Sequence, residues 1–210
     1  MSSAIAAIRP DMGDDVFHFI RGRNAEEAYN VLERILDERK LRGGTGMIKG
    51  GHRCVCFTET PPMFFARHFG RYRNGTSFQP FGIQLSKKWV LENGGRTVIY
   101  QPDDDYWKLA ADQKYRHVRH EVLPDRIIDF TWEREWRIHT DVLELQPEHV
   151  KVVIHPEYEK LLWRWHDYEQ SMYALQLNAA YGFDTGYEAE RFPWHVEPLH
   201  YEERGYGYHK

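Results

Sequence analysis

The stretch FTWEREWRIH, residues 130–139, limits how this chain can fold more than any other part of the sequence. It spaces Glu133 and Glu135 two residues apart and Trp132 and Trp136 four apart. In an extended strand, side chains at i, i+2 and i+4 share a face, so the glutamates would lie on one face and the tryptophans on the other. A helix would scatter them around its circumference. The stretch therefore predicts a strand whose two tryptophans are buried.

Length and composition indicate a folded protein with a real core. The chain has 210 residues, of which 41% are hydrophobic and 15% aromatic. We expect one domain over residues 1–182, followed by an aromatic-rich tail over 183–210. The net charge of −4 argues against a dedicated nucleic-acid binder that relies on phosphate contacts. We interpret the basic run from Arg67 to Arg73 as a solvated surface.

The sequence predicts a cytoplasmic protein with no membrane span and no metal. No stretch approaches the roughly 20 apolar residues that a membrane helix needs. The N-terminal residues lack the basic and apolar regions of a signal peptide. The two cysteines, Cys54 and Cys56, stand two apart on one predicted strand, where a disulfide is awkward and no further ligands complete a zinc site. We expect buried thiols.

Hydrophobic period and turn residues predict an α+β fold: a compact, mixed or antiparallel sheet of about six strands with an early helix and a long C-terminal helix. The predicted strands are residues 16–22, 53–59, 80–86, 96–101, 130–139 and 149–155. Asn24 as N-cap and Glu27 three residues later predict the start of the early helix, and Gly43–Gly44 its end. Pro156 predicts the first position of a helix over 156–182.

Motif patterns alone do not identify the functional site. Two carboxylates on one strand face tend to raise one carboxyl pKa and can form a catalytic cleft, but a water-facing ladder of ion pairs explains the same pattern. His117 and His120, three apart, suggest a metal pair, and with Glu121 they form the basis of a hydrolase or nuclease alternative. The metal pair lacks a third ligand in the sequence pattern.

Four segments in order resemble a known family. They are CVCFTETPP, FGIQLSKKWV, GGRTVIYQP and EREWR, and the match spans roughly residues 17–155. The combination resembles the AbiGi family, which is linked to abortive phage resistance. The resemblance implies a role in a bacterial or phage-defence system.

The order of elements also resembles the ADP-ribosyltransferase superfamily, in particular its DarT-like members. His18 matches the histidine that holds a ribose hydroxyl of NAD, and Glu133–Glu135 has the Glu-x-Glu form whose second glutamate is catalytic. The position of the second-strand tyrosine, serine or threonine falls near Phe57 or Thr58. Two parts of the pattern are missing: that strand carries no tyrosine, and no Ser-Thr-Ser run is present.

This second resemblance implies an ADP-ribosyltransferase-like fold, with NAD as co-substrate. Glu135 would stabilise an oxocarbenium-like transition state, and Glu133 would be the general base toward the acceptor. The residues expected to contact NAD are His18, Arg21, Phe57, Thr58, Phe81 and Arg137. Among them Arg21 or Arg137 would hold the pyrophosphate, and Phe57 or Phe81 would stack on the nicotinamide.

The resulting hypothesis is an enzyme that cleaves the nicotinamide–ribose bond of NAD and transfers ADP-ribose to an unidentified acceptor. The alternative is a non-catalytic defence or antitoxin-type protein that binds a partner. The enzyme hypothesis makes a spatial prediction: the strands carrying His18, Cys54–Glu59 and Glu133–Arg137 are neighbours around one cleft, with His18 and Glu135 on the same face of the sheet.

Overall fold

A large, mostly antiparallel sheet organises the chain in the computed structural model, which describes residues 11–71, 75–182 and 190–199. The strands are β1 (Asp15–Gly22), β2 (Lys40–Arg42), β3 (Cys54–Thr58), β4 (Ser77–Ser86), β5 (Arg96–Thr97), β6 (Ile99–Gln101), β7 (His117–Arg119), β8 (Glu121–Val122), β9 (Ile127–Ile128), β10 (Glu135–His139), β11 (Val142–Glu144), β12 (Val150–Ile154) and β13 (His195–Pro198). Seven of them form the sheet in the order β13-β12-β4-β1-β3-β10-β5, and β12 and β13 pair in parallel.

Among residues 11–71, 75–182 and 190–199, four α-helices accompany the sheet. They are α1 (Ala25–Glu38), α2 (Pro62–Phe65), α3 (Lys87–Glu92) and α4 (Glu159–Tyr181). The predicted α+β class with a C-terminal helix is confirmed at this level. Within the described residues, no helix is long and apolar enough to cross a membrane.

The early helix starts where the sequence predicts and ends earlier. The Asn24 side chain accepts a hydrogen bond from the Glu27 amide at 2.9 Å, as an N-cap does. The helix ends at Glu38, and its C-cap Arg39 adopts the left-handed conformation with φ of 53°. The predicted end at Gly43–Gly44 is wrong because Lys40–Arg42 leaves the helix and pairs with β11 instead. The long helix also begins later, at Glu159 rather than Pro156.

The predicted strand over 130–139 is only half a strand. Thr131–Glu133 forms a short 3₁₀ turn, and Arg134 follows it in the left-handed region with φ of 43°. Regular pairing begins at Glu135. The predicted strand over 96–101 is likewise divided, since Arg96–Thr97 joins the large sheet and Ile99–Gln101 pairs with β7.

Two threonine hydroxyls account for this turn. Thr58 donates to the carbonyl of Glu133, and Thr60 donates to the carbonyl of Trp132 at 2.6 Å. The two tryptophans consequently differ. Trp136 is 7% exposed, as predicted, whereas Trp132 is only partly buried. The prediction that both lie buried on one strand face is wrong for Trp132.

The main core lies between one face of the sheet and the helices. Ala28, Leu32 and Leu36 of α1 pack there against strand residues that include Phe81 and Trp136. A smaller cluster around Phe17, Phe19 and Phe65 covers part of the opposite face. Part of the predicted tail contributes too, because Phe192, Trp194 and Val196 are buried in the main core. The remaining tail, 183–189 and 200–210, lies outside the described residues.

Candidate active site

Strand β3 is paired very differently along its two edges, and this difference creates the site. With β10 it pairs at five consecutive positions, from Glu135 opposite Thr58 to His139 opposite Cys54. With β1 it pairs at one position, Phe17 opposite Thr58. A cavity of about 870 Å³ is lined by residues of β1, β3 and β10. That volume lies within the range of ligand-binding pockets.

The floor of this cavity carries a buried ion pair on β10. Arg137 Nε lies 2.8 Å from Glu135 Oε1, and its Nη2 lies 3.0 Å from Oε2, so the contact is bidentate. The two side chains are 6% and 11% exposed. Arg137 also donates through Nη1 to the carbonyls of Tyr115 at 2.7 Å and His117 at 3.1 Å. The guanidinium is therefore fixed by four hydrogen bonds.

Burial works to lower the pKa of Arg137, but the charge and hydrogen bonds of Glu135 outweigh it, and the net pKa direction is upward. Arg137 is thus a permanent cation that holds the carboxylate of Glu135 in place. With four of its five N–H donors used within the protein, it is poorly suited to the predicted contact with pyrophosphate. The geometry favours Arg137 as a positioning residue.

The cysteines beside this pair are neutral thiols. Cys54 is buried and Cys56 is partly buried. Burial, followed by the neighbouring Glu135 carboxylate, raises the pKa of Cys56 well above its ordinary range, and burial raises that of Cys54 to about 11. Because the thiolate is the nucleophilic form, neither residue is suited to nucleophilic catalysis here.

His18 occupies the gap between β1 and β3. Its Nδ1 lies 2.8 Å from the carbonyl oxygen of Cys56, and its ring meets the Phe57 ring edge-on at 5.9 Å between centroids. A carbonyl only accepts, so Nδ1 carries the proton and Nε2 of the neutral ring is an acceptor. Burial lowers the pKa of His18, which favours this neutral form.

The spatial prediction is met in part. Strands β1, β3 and β10 are adjacent in the sheet, and His18, Glu133 and Glu135 all line the cavity. Strand register, however, aligns Phe17 with Thr58 and Thr58 with Glu135, whereas His18 pairs with Ile83, which lies in the main core. Alternation therefore directs His18 and Glu135 toward opposite faces, and the predicted shared face is wrong. Both border the cavity because β1 and β3 separate after Phe17.

The remaining predicted contacts divide into accessible and buried side chains. Arg21 is exposed at the cavity wall, with its guanidinium 4.3 Å from the centre of the Phe78 ring. Phe57 lines the cavity but is 2% exposed, and the Thr58 hydroxyl is used to hold the turn at Glu133. Phe81 is fully buried between Tyr29 and Tyr158 and is not among the cavity-lining residues. The prediction that Phe81 stacks on nicotinamide is corrected accordingly.

Tyr100 supports the candidate site but is not among the site residues that the sequence predicts. Its hydroxyl accepts a hydrogen bond from the backbone amide of Glu135 at 3.0 Å, and burial raises the pKa of Tyr100 to about 12. The phenol fixes the backbone where the strand begins. In the sequence Tyr100 is one tyrosine of the segment RTVIYQ, and nothing in that segment predicts that Ile99–Gln101 pairs with β7.

The metal alternative gains no support from the geometry. His117 Nε2 lies 3.2 Å from the carbonyl of Pro102, and His120 Nδ1 lies 3.5 Å from Asp129. Across residues 11–71, 75–182 and 190–199, no group of three histidine, cysteine, aspartate or glutamate side chains is placed to hold a metal ion.

Comparisons of the chain with family models, curated proteins and solved structures give no match.

Proposed function

We propose that this chain is an NAD-dependent ADP-ribosyltransferase-like enzyme of a bacterial or phage-defence system. The observation that carries the proposal is the cavity of about 870 Å³ at the separation of β1 and β3, with the carboxylate of Glu135 fixed in its floor. A ligand of dinucleotide size needs a pocket of this order. A rigidly held carboxylate in a largely water-excluded site is the group that best stabilises a developing positive charge.

Three residues have distinct roles in the proposed reaction. The bond from the ribose C1′ to the nicotinamide nitrogen breaks, nicotinamide leaves with the electron pair, and the ribose passes through an oxocarbenium-like state. Glu135 lies under this charge, and Arg137 keeps its carboxylate oriented. Glu133 accepts the proton of the nucleophile that attacks C1′. It is partly exposed and lines the cavity.

His18 and Arg21 support binding of the dinucleotide in this proposal. In this proposal the Nε2 lone pair of neutral His18 accepts a hydrogen bond from a ribose hydroxyl, and the exposed guanidinium of Arg21 binds the pyrophosphate.

A non-catalytic protein that binds a partner is the second candidate, and one observation favours it. Arg137 occupies both carboxylate oxygens of Glu135. Each oxygen keeps a further lone pair, but a carboxylate paired in this way is also what a purely structural ion pair looks like.

Nicotinamide release separates the two candidates. Purified protein is incubated with NAD, and nicotinamide and ADP-ribose are measured by mass spectrometry. We expect release by the wild type and a decrease of about 10²–10³-fold for Glu135→Gln, since one preorganised electrostatic contact is removed. Binding of NAD, measured by calorimetry, should change far less because the carboxylate acts mainly in the transition state.

Two variants complete the test. Glu133→Gln should reduce transfer to an acceptor nucleophile more than it reduces hydrolysis of NAD. Glu144→Gln removes an exposed carboxylate that pairs with Lys40 at 3.4 Å and should behave as the wild type. Absence of both NAD binding and nicotinamide release from the folded wild type would reject the enzyme and leave the partner-binding candidate.

A further inference from the structure

A second, smaller cavity adjoins the first. Its volume is about 220 Å³, and it shares Arg21, Phe78 and Glu133 with the larger cavity. Its other walls come from the 3₁₀ turn with Trp132, from the start of β4, and from the basic segment with His68 and Arg71. The described part of the basic run that we interpreted as a solvated surface therefore forms one side of a pocket.

The arginines in the two cavities differ in their partners. Arg42, Arg119, Arg126 and Arg137 line the larger cavity, and each lies within 4 Å of a carboxylate, from Glu38, Glu121, Asp125 and Glu135 respectively. Arg21 and Arg71 line the smaller cavity. Within the described ranges, neither has a carboxylate oxygen within 4 Å. Among the described side chains, the two arginines of the smaller cavity therefore have no ion-pair partner.

Aromatic stacking orders the walls around these cations. The Arg21 guanidinium lies 4.3 Å from the centre of the Phe78 ring, which restricts its rotation. His68 stacks on Trp132 with 3.6 Å between ring centroids and 13° between planes. Burial, then the charges of Arg71 and Arg67, lowers the pKa of His68, as expected for a ring in a positive environment.

We propose that the smaller cavity binds a phosphate group between Arg21 and Arg71. Guanidinium groups present paired N–H donors that match phosphate oxygens, and the hydrogen bonds formed with a charged acceptor are the strong ones. The site does not depend on NAD chemistry. The phosphate belongs either to the dinucleotide in the larger cavity, through the shared Arg21, or to a separate phosphorylated ligand next to Glu133.

Inorganic pyrophosphate is the probe for this site. Its binding to the full chain is measured by titration calorimetry at low salt, where charge interactions are least screened. We expect saturable binding to the wild type and a loss of about tenfold or more in affinity for Arg71→Gln and for Arg21→Gln, which each remove hydrogen bonds to a charged group. Arg34→Gln removes the same charge from an exposed position on α1 and should bind within about twofold of the wild type.

The result that overturns the proposal is pyrophosphate binding that is absent, or that Arg71→Gln and Arg34→Gln leave equally unchanged. An equal decrease in both variants would also overturn it, because it would reflect overall charge. Repeating the titration with NAD identifies the source of the phosphate. Competition assigns it to the dinucleotide, whereas simultaneous binding, or pyrophosphate binding by a chain that does not bind NAD, assigns it to a separate ligand.

Discussion

The two edges of β3 show how one sheet combines a rigid frame with an opening. On the β10 edge, five consecutive pairs align the strands, and Glu135, Arg137 and Trp136 are fixed by side-chain bonds as well. On the β1 edge a single pair is made, and the His18 imidazole bonds to the Cys56 carbonyl instead of a backbone amide. The paired edge holds the candidate catalytic carboxylate still, and the open edge provides space for a ligand.

Different interactions stabilise the two edges of β3. The paired edge depends on buried charge and aromatic packing, where loss of one partner is costly. The open edge depends on one backbone pair and on the hydrogen bond of one neutral histidine. Substitutions on the paired edge should therefore destabilise the fold more than those on the open edge.

The largest effect is expected for Arg137→Ala. Glu135, whose side chain is 11% exposed in the wild type, loses its cation, and removing one member of a buried pair costs about 3–5 kcal/mol. Urea unfolding of the two proteins measures the loss. The control is Arg53→Ala, whose pair with Asp141 at 3.2 Å is 58% and 80% exposed and should cost less than about 1 kcal/mol. Equal losses would mean that the β10 pair is solvated.

Trp136→Ala should follow closely. The indole is 7% exposed, and its Nε1 donates to Glu59 at 3.0 Å, so truncation leaves a cavity and removes one hydrogen bond from a carboxylate that Lys87 also holds at 2.7 Å. We expect a loss of about 3–5 kcal/mol in the free energy of unfolding. Trp132→Ala, in the partly exposed turn, should cost about 1–2 kcal/mol. If Trp132 proves the costlier of the two, the assignment of the main core to the Trp136 side is wrong.

The difference between these tryptophans also shows what the sequence can predict. Strands β1, β3, β4 and β12 and the start of α1 follow from local patterns: alternation, turn residues and a capping asparagine. The turn at Thr131–Glu133 depends on hydroxyls of Thr58 and Thr60, more than 70 residues away in the chain. Local alternation extends through such a turn, and only tertiary hydrogen bonds interrupt it.

For the candidate site, too, the sequence predicts the features that depend on local patterns and misses those that depend on tertiary contacts. The sequence predicts Glu133, Glu135, His18 and Arg21 as site residues because charged or titratable groups on predicted strands are easily recognised, and all four line the cavity. The prediction for Phe81 is wrong because the face of a β4 residue depends on its register with β1 and β12, which composition does not encode. The role of Arg137 also required the tertiary fold, since the carbonyls of Tyr115 and His117 complete its binding.

On the other side of β1 from the open edge, Gly82→Ala tests the close approach of β4 to β1. A Cβ at Gly82 would lie 2.5 Å from the His18 carbonyl oxygen and 3.2 Å from the Phe19 Cα, so the two backbones would have to move apart. Such overpacking costs about 1–3 kcal/mol. Gly44→Ala meets nothing within 4 Å and should stay within about 0.5 kcal/mol of the wild type in urea unfolding. Similar values for both variants would show that β4 and β1 can move apart at little cost.

The smallest effect, and the one most specific to the open edge, is the pH dependence of His18. Burial lowers the folded-state pKa of His18 below its ordinary value near 6.5; the Cys56 hydrogen bond opposes this, and the Arg21 charge adds to it. The unfolded chain therefore binds the proton more readily than the folded one. The stability contributed by neutral His18 is fully present above about pH 6.5 and is lost as the pH falls through the lowered folded-state pKa.

His18→Asn keeps a side-chain donor for the Cys56 carbonyl but removes the titrating ring. At pH 7.5 the variant should be less stable than the wild type by about 1 kcal/mol, the scale of one imperfectly replaced hydrogen bond. At pH 5 the difference in unfolding free energy between the two proteins should narrow or reverse, because only the wild type carries the cost of protonating His18. His52 and His68, whose pKa values are also lowered by burial, are present in both proteins and cancel in the difference. Urea unfolding at the two pH values measures the gap. A gap that stays constant would mean that the imidazole is solvated, and that β1 and β3 are closer to regular pairing than the single Phe17–Thr58 contact indicates.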